Sequence, residues 1–351
     1  LGGATCAKYI KRASASIDVT IIEPNKTYYT GFTSNLTISG MITMDQLAHT
    51  YEGLAAMGIN IVHENVTDIT DNSVKTAGGG SYGFDRCVVS PGVDFKYVEG
   101  HSEEVANSSV THAYKSGPQM TLLGKQIHSM KDGGTVVIAA PRNPFRCPPG
   151  PYERVSQIAT YLKENKPKSK IIVLDPKPKF SKMGLFMEGW ENHYPGMVEW
   201  IGPETHGGIK SVNHETMEIV TDLDTFKADA ACVIAAMRAG VIADAAGVTD
   251  GDWAPIVPAT MASKADANIH VLGDASVASA MPKSGFSANS QAKVVANAIR
   301  GDLTGSKVYP ARFSNTCWSL VATNDGVKVG ASYKAGAEKI EIGRASCRER
   351  V

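Results

Sequence analysis

Residues 134–175 read as strand, turn, helix and strand at the spacing of a dinucleotide-binding unit, and that pattern commits the chain to an α/β architecture. The opening run GTVVIAA (134–140) is apolar throughout, as suits a parallel strand covered on both faces. A helical pattern follows from about residue 153 to 164, and the strand KIIVLD occupies 170–175. The turn between them, PRNPFRCPPGPYE (141–153), holds five prolines and one glycine. Proline has no N–H and cannot join a nest of amides around a pyrophosphate. The unit has the outline of a nicotinamide domain without its binding turn, so no NAD(P) site is expected there.

A second pattern starts at residue 1. Gly2 and Gly3 resemble the back half of a glycine-rich turn, an amphipathic helix follows, and the β-branched run 17–22 ends at Glu23. Turn, helix, strand and acid in this order form the second half of a dinucleotide-binding unit whose first strand would lie ahead of residue 1. The glycines let the backbone approach a pyrophosphate at a helix N-terminus, and Glu23 is placed to accept hydrogen bonds from ribose hydroxyls. A plain turn between helix and strand is the alternative. Residues 59–62 read as a strand, 73–83 as a glycine-rich hairpin region, and 86–92 as a buried strand running into a tight turn at Gly92.

Farther on, ANIHVLGDA (267–275) is a strand ending on Gly273 and Asp274. A helix follows Lys283, Ser284 and Gly285 and runs from near residue 287 to about 300. Such a turn sets a carboxylate and a helix N-terminus beside a bound flavin. Asp274 would hold a ribityl hydroxyl or a pyrophosphate-linked water, and the dipole would stabilise negative charge on the reduced ring. Alone, the segment also reads as a β-to-α turn with an N-cap aspartate.

Composition sets outer bounds. The 351 residues suit two or three domains, and 35 basic residues balance 35 acidic ones, which excludes a global field for nucleic acid. No apolar run reaches the roughly 18 residues of a membrane span. No two of the six cysteines sit at CxxC spacing, so no metal site is expected. The last ten residues, IGRASCRERV (342–351), read as an adapter-like appendage and are set aside with Cys347. Cys6, Cys87 and Cys232 lie in apolar helix or strand patterns that suit packing.

Four segments carry a resemblance: FRCPPGPYER (145–154), IHVLGDA (269–275), MPKSGFSANSQ (281–291) and NTCWSL (315–320). Together they resemble the flavoprotein subunit of flavocytochrome c sulfide dehydrogenase, over nearly the whole chain up to about Glu338. The broader likeness is to sulfide:quinone oxidoreductases and glutathione-reductase-type flavoproteins. The resemblance implies a redox-active disulfide between Cys147 and Cys317 at the flavin, Glu153 as a nearby acid or base, and FAD bound by Glu23 and Asp274. Gly2, Gly3, Gly92, Gly273, Lys283, Ser284 and Gly285 complete the expected cofactor-binding set. Some members carry a cysteine that forms a thioether to the flavin, in a segment like YYTGFTSN (28–35); Gly31 stands there in this sequence, so non-covalent FAD is expected. The spacing of Cys147 and Cys317 by itself leaves open two unrelated buried thiols.

In the implied reaction, hydrosulfide attacks one sulfur of the disulfide and gives a persulfide and a thiolate, and two electrons pass to the flavin. A cysteine working this way needs a depressed pKa; Lys283, the helix it precedes, or Arg146 could supply the positive potential. The electrons leave to a c-type cytochrome subunit, since no Cys-x-x-Cys-His occurs here, and the family implies a periplasmic location. Alternatives are a sulfide:quinone oxidoreductase and a non-catalytic flavin-binding subunit; an NADH-dependent reductase is disfavoured by the proline-rich turn. The expected fold is two Rossmann-like domains of the FAD/NAD(P)-binding type. The FAD domain is discontinuous, at 1–105 and 240–307, with its first strand missing, and 106–239 form the second domain. The start of a truncated C-terminal interface domain covers 308–341.

Overall fold

The computed structural model describes residues 1–70, 72–115 and 117–346, and the backbone of 349–350; Cys347 lies outside the described residues. Its most regular part is a parallel four-stranded sheet in the spatial order Val198–Ile201, Lys170–Leu174, Thr135–Ala139, Ala230–Val233. Val136, Val137, Ile138, Ile171 and Val173 are fully buried, which is why these runs are apolar without alternation. Helix Gly150–Asn165 connects the strands Thr135–Ala139 and Lys170–Leu174. It begins three residues before the pattern suggests, because Pro151 sits in its first turn, where a missing N–H leaves nothing unsatisfied. Pro167, just beyond Lys166, favours its termination.

The other α/β body is assembled from both halves of the chain. Strands Thr20–Ile22 and Asn60–Val62 pair in parallel, and so do Cys87–Val89 and Ile269–Val271. Helix Gly2–Ala13 packs along helix Gly285–Thr304. A Cβ at Gly2 would overlap Leu272 Cδ1, so this helix approaches the sheet more closely than any side chain allows. Ser284 in extended conformation caps Ser287 N, and Gly305 at φ 67° ends the long helix. The strand expected at 267–275 shortens to Ile269–Val271, because Gly273 at φ 78° turns the chain into a single 3-10 turn. The antiparallel pair Val93–Lys96 and Ala236–Ala239 carries the chain between the bodies.

Strand Arg312–Ala322 pairs along its length with Asp325–Ala335, which in turn pairs with Ile340–Ala345. Phe313, Tyr333 and Ile340 enter the core of the body assembled from both halves of the chain (the first body), whereas Val321 and Val327 enter that of the four-stranded sheet (the second body). The hairpin therefore spans the seam between the bodies, and Cys317 lies midway between its two anchors.

Candidate active site

The proline-rich turn presents a cysteine at the mouth of helix Gly150–Asn165. Cys147 holds φ 56°, a left-handed conformation that costs a non-glycine residue of order 1 kcal/mol or more. Its N–H donates to Lys283 O at 2.7 Å, and its carbonyl accepts from Gly150 N at 2.8 Å. A Cβ at Gly150 would stand 3.1 Å from Cys147 Sγ and 2.8 Å from Tyr114 Oη, so only glycine leaves room for this thiol.

The second cysteine arrives from the opposite side. Asn315 Nδ2 donates to Cys317 Sγ at 3.4 Å, while Asn315 Oδ1 accepts from Ser284 Oγ at 2.5 Å. Lys283 thus holds Cys147 through its carbonyl, and Ser284 reaches Cys317 through one asparagine. Both cysteines meet at the N-terminus of helix Gly285–Thr304, and both are free thiols in this structure.

Glu153 stands in the first turn of helix Gly150–Asn165. Its Oε2 accepts from Asn35 Nδ2 at 2.9 Å and its Oε1 from Leu320 N at 3.0 Å, which ties the turn to the strand of Cys317. Burial raises its carboxyl above the ordinary 4.5 despite these two donors. Burial also pushes the Cys147 thiol up to about 12, reinforced by Cys317 and Glu153 and opposed only weakly by Arg146. Lys182 faces the same group of residues. It is completely buried, and its Nζ donates to Ser319 Oγ at 2.8 Å and to Cys317 O at 3.3 Å.

Beside the cysteines, Arg146 Nε lies 3.6 Å from Asp274 Oδ2. Asp274 Oδ1 is buried with no hydrogen-bond partner among the described residues. An unpaired buried carboxylate oxygen calls for a donor, and a flavin ribityl hydroxyl would supply it. Arg146, Asp274 and Glu23 all act on the Tyr28 hydroxyl, whose pKa burial raises first of all, so the two expected cofactor acids share one neighbourhood. Gly3 N donates to Ser90 Oγ at 3.2 Å, and Gly273 N to Gln291 Oε1 at 2.7 Å, which fixes the two glycine turns against the same sheet end. These residues fit FAD: an orphaned acceptor, closely packed glycines and a helix N-terminus stand together.

Cys147, Cys317, Glu153, Asp274, Gly273, Lys283, Ser284 and Gly285 therefore converge, with Glu23, Gly2 and Gly3 along the adjoining turn. Gly92, at φ 73°, stands at the crossover, where its carbonyl accepts from Gly240 N at 3.1 Å. Two expectations need correction. Cys147 is raised, not depressed, because desolvation outweighs Arg146. Lys283 does not spend its charge on the thiols: Nζ donates to Asp274 O at 2.7 Å and Ser276 O at 2.9 Å and lies 3.7 Å from the Trp253 ring centre. Sequence reasoning missed Lys182, Asn35 and Asn315. The two asparagines lie inside segments already singled out, but a lysine ahead of a helix carries no signal of burial.

The fold is of the two-domain Rossmann type found in FAD- and NAD(P)-binding oxidoreductases. Residues 120–235 match the family model described as the sulfide dehydrogenase (flavocytochrome c) flavoprotein chain, central part, and residues 309–346 match the flavin-binding part of flavocytochrome c sulfide dehydrogenase. Over these two stretches the chain is similar to that flavoprotein family. Among solved structures it resembles the sulfide:quinone oxidoreductase of Aquifex aeolicus, with TM-score 0.80 and 15% identity over 100% of this chain and 85% of that one. A ferredoxin reductase from Rhodopseudomonas palustris gives TM-score 0.71 and 15% identity over 94% and 80%. The water-forming NADH oxidase of Lactobacillus brevis gives 0.66 and 14% over 95% and 82%. At these identities the likeness is one of fold.

Proposed function

We propose that this chain is the sulfide-oxidising subunit of a flavocytochrome c, in which Cys147 and Cys317 form one redox pair beside non-covalently bound FAD. The observation that carries this reading is the joint anchoring of both cysteines by Lys283 and Ser284 at a helix N-terminus next to the unpaired Asp274 oxygen. In this reading the FAD domain comprises 1–105 and 240–307 and the second domain 106–239, with 308–341 opening a C-terminal interface domain. Among the described residues the strands of the FAD domain's parallel sheet form two pairs, Thr20–Ile22 with Asn60–Val62 and Cys87–Val89 with Ile269–Val271.

With the pair oxidised, hydrosulfide attacks Cys147 Sγ. A sulfur–sulfur bond to the incoming sulfur forms as the bond to Cys317 breaks, and the negative charge moves to Cys317. Glu153, whose carboxylate burial makes a stronger base, takes the persulfide proton. Further hydrosulfide releases the outer sulfur as polysulfide or sulfur. Asp274, Glu23 and the amides opening helix Gly285–Thr304 would hold FAD, which supplies a two-electron acceptor able to pass single electrons onward. The outlet is a c-type cytochrome subunit in the periplasm. Gly31 offers no thiol for a covalent flavin link, so denaturation releases the flavin free in solution.

Anaerobic hydrosulfide should bleach the flavin of the loaded chain, and Cys147→Ser or Cys317→Ser should each slow bleaching by about 10³-fold or more. Bound flavin that hydrosulfide does not bleach, with or without either substitution, would assign a non-catalytic flavin-binding role. Transfer to quinone with none to cytochrome c would assign the sulfide:quinone reaction instead.

A further inference from the structure

The structure buries two lysines in the second body, and their surroundings differ in kind. Lys177 has an acidic partner, Asp175 Oδ1, 2.6 Å from its Nζ. Lys182 has none among the described residues. Its ammonium is held by three neutral oxygens, Cys317 O, Ser319 Oγ and Val327 O, at 3.3, 2.8 and 3.3 Å. It caps helix Met183–His193 from a left-handed backbone conformation, φ 63°, that a lysine rarely adopts. A permanently buried cation that forms no ion pair, its nearest carboxylate being Glu153, is costly, and in a packed core the cheaper solution is an apolar residue of similar size. The charged and titratable groups that face it are Cys317 on the hairpin, Glu153 on the neighbouring helix and Cys147 on the proline-rich turn.

We propose that Lys182 is a positioning residue of the cysteine relay, the counter-charge for the Cys317 thiolate, and that it thereby directs hydrosulfide to Cys147. This rests on the relay reading above. When the disulfide opens, one sulfur leaves as a thiolate. A cation fixed to the backbone of Cys317 lowers the cost of charge on that sulfur, and the leaving-group sulfur is the one whose thiolate is better stabilised. Cys147 interacts with Lys182 less than Cys317 does, and Arg146 turns its guanidinium to Asp274 as well. The asymmetry follows from geometry, since Lys182 grips the hairpin at residues on both sides of its turn. Burial lowers the Lys182 pKa to about 8, opposed by Cys317 and Glu153, so each negative charge that appears at the site restores the lysine's own proton affinity.

The test reads ionisation, not turnover. In the reduced, FAD-loaded Cys147→Ser chain, iodoacetamide labelling of Cys317 is followed against pH by peptide mass spectrometry. Lys182→Met should cut the labelling rate at neutral pH by about tenfold, and Lys182→Arg should restore it to within about twofold. Labelling of the Met variant at the parent rate overturns the proposal. Should that variant not fold, as judged by its melting curve, Lys182→Gln keeps a hydrogen-bonding group without the charge, and the same two outcomes apply. With both cysteines present, hydrosulfide-treated protein should carry its persulfide on Cys147; persulfide mainly on Cys317 contradicts the direction of attack. Failure of the relay reading shows separately, as sulfide bleaching that survives in Cys317→Ser.

Discussion

Glu153 shows how burial decides among competing effects on one side chain. Two hydrogen bonds to its carboxylate favour the charged form, and desolvation still raises its pKa. Glu153→Gln removes the proton acceptor and turns an amide against Asn35 Nδ2. Asn35 cannot flip to suit it, because Asn35 Oδ1 already accepts from Arg154 Nε at 3.1 Å. We expect about 10²-fold slower sulfide-dependent flavin reduction and loss of the acidic limb of its pH profile, measured by stopped-flow, with about 1 kcal/mol of lost stability. The buried thiols set a second pH response. Cys6, Cys87 and Cys147 are raised from the ordinary 9.0 to about 12, each mainly by burial. The folded state therefore holds these protons more tightly than the unfolded chain. The stability they contribute is complete below about pH 9 and is lost as pH rises toward 12. The melting temperature of the reduced protein should fall across that range, and a Cys87→Ala variant should fall less steeply; a flat profile would contradict this assignment.

Among the elements, the hairpin that carries Cys317 depends on a close contact behind it. Helix Met183–His193 packs on it through Gly189, where a Cβ would overlap Val321 Cγ1. Gly189→Ala must push the strand away or distort the helix. We expect a loss of about 1–3 kcal/mol in thermal unfolding and slower sulfide reactivity, because the same strand bears Leu320 N and Cys317. What the sequence made legible here follows from local rules. The apolar runs mark the parallel strands and the patterns place the helices near 153–164 and 287–300, short of the bounds that Pro151, Ser284 and Gly305 set at Gly150–Asn165 and Gly285–Thr304. The shortened strand at Ile269–Val271 escaped notice because one glycine dihedral, not composition, ends it. The hairpin's register and the burial of Lys182 were illegible for another reason: both depend on two bodies distant in sequence closing on the same strand.

For the molecule as a whole, the two cores and the hairpin that joins them turn segments far apart in the chain into one site. In the second body the acid that its outline calls for is already engaged by its own neighbours. Asp175 follows the strand Lys170–Leu174, where a dinucleotide domain would present an acid to ribose. It is fully buried and taken by Tyr152 Oη at 2.5 Å, Lys177 Nζ at 2.6 Å and Trp200 Nε1 at 3.3 Å. NADH should therefore leave the flavin oxidised over the time in which hydrosulfide bleaches it; fast bleaching by NADH would reopen the nicotinamide reading. No described helix is long and apolar enough to cross a membrane. The most direct test is to digest the oxidised protein without reductant and map its disulfides by mass spectrometry. A single linked peptide containing Cys147 and Cys317, which disappears on treatment with hydrosulfide, is the result predicted. Both cysteines recovered unlinked, or joined to other partners, would contradict the account.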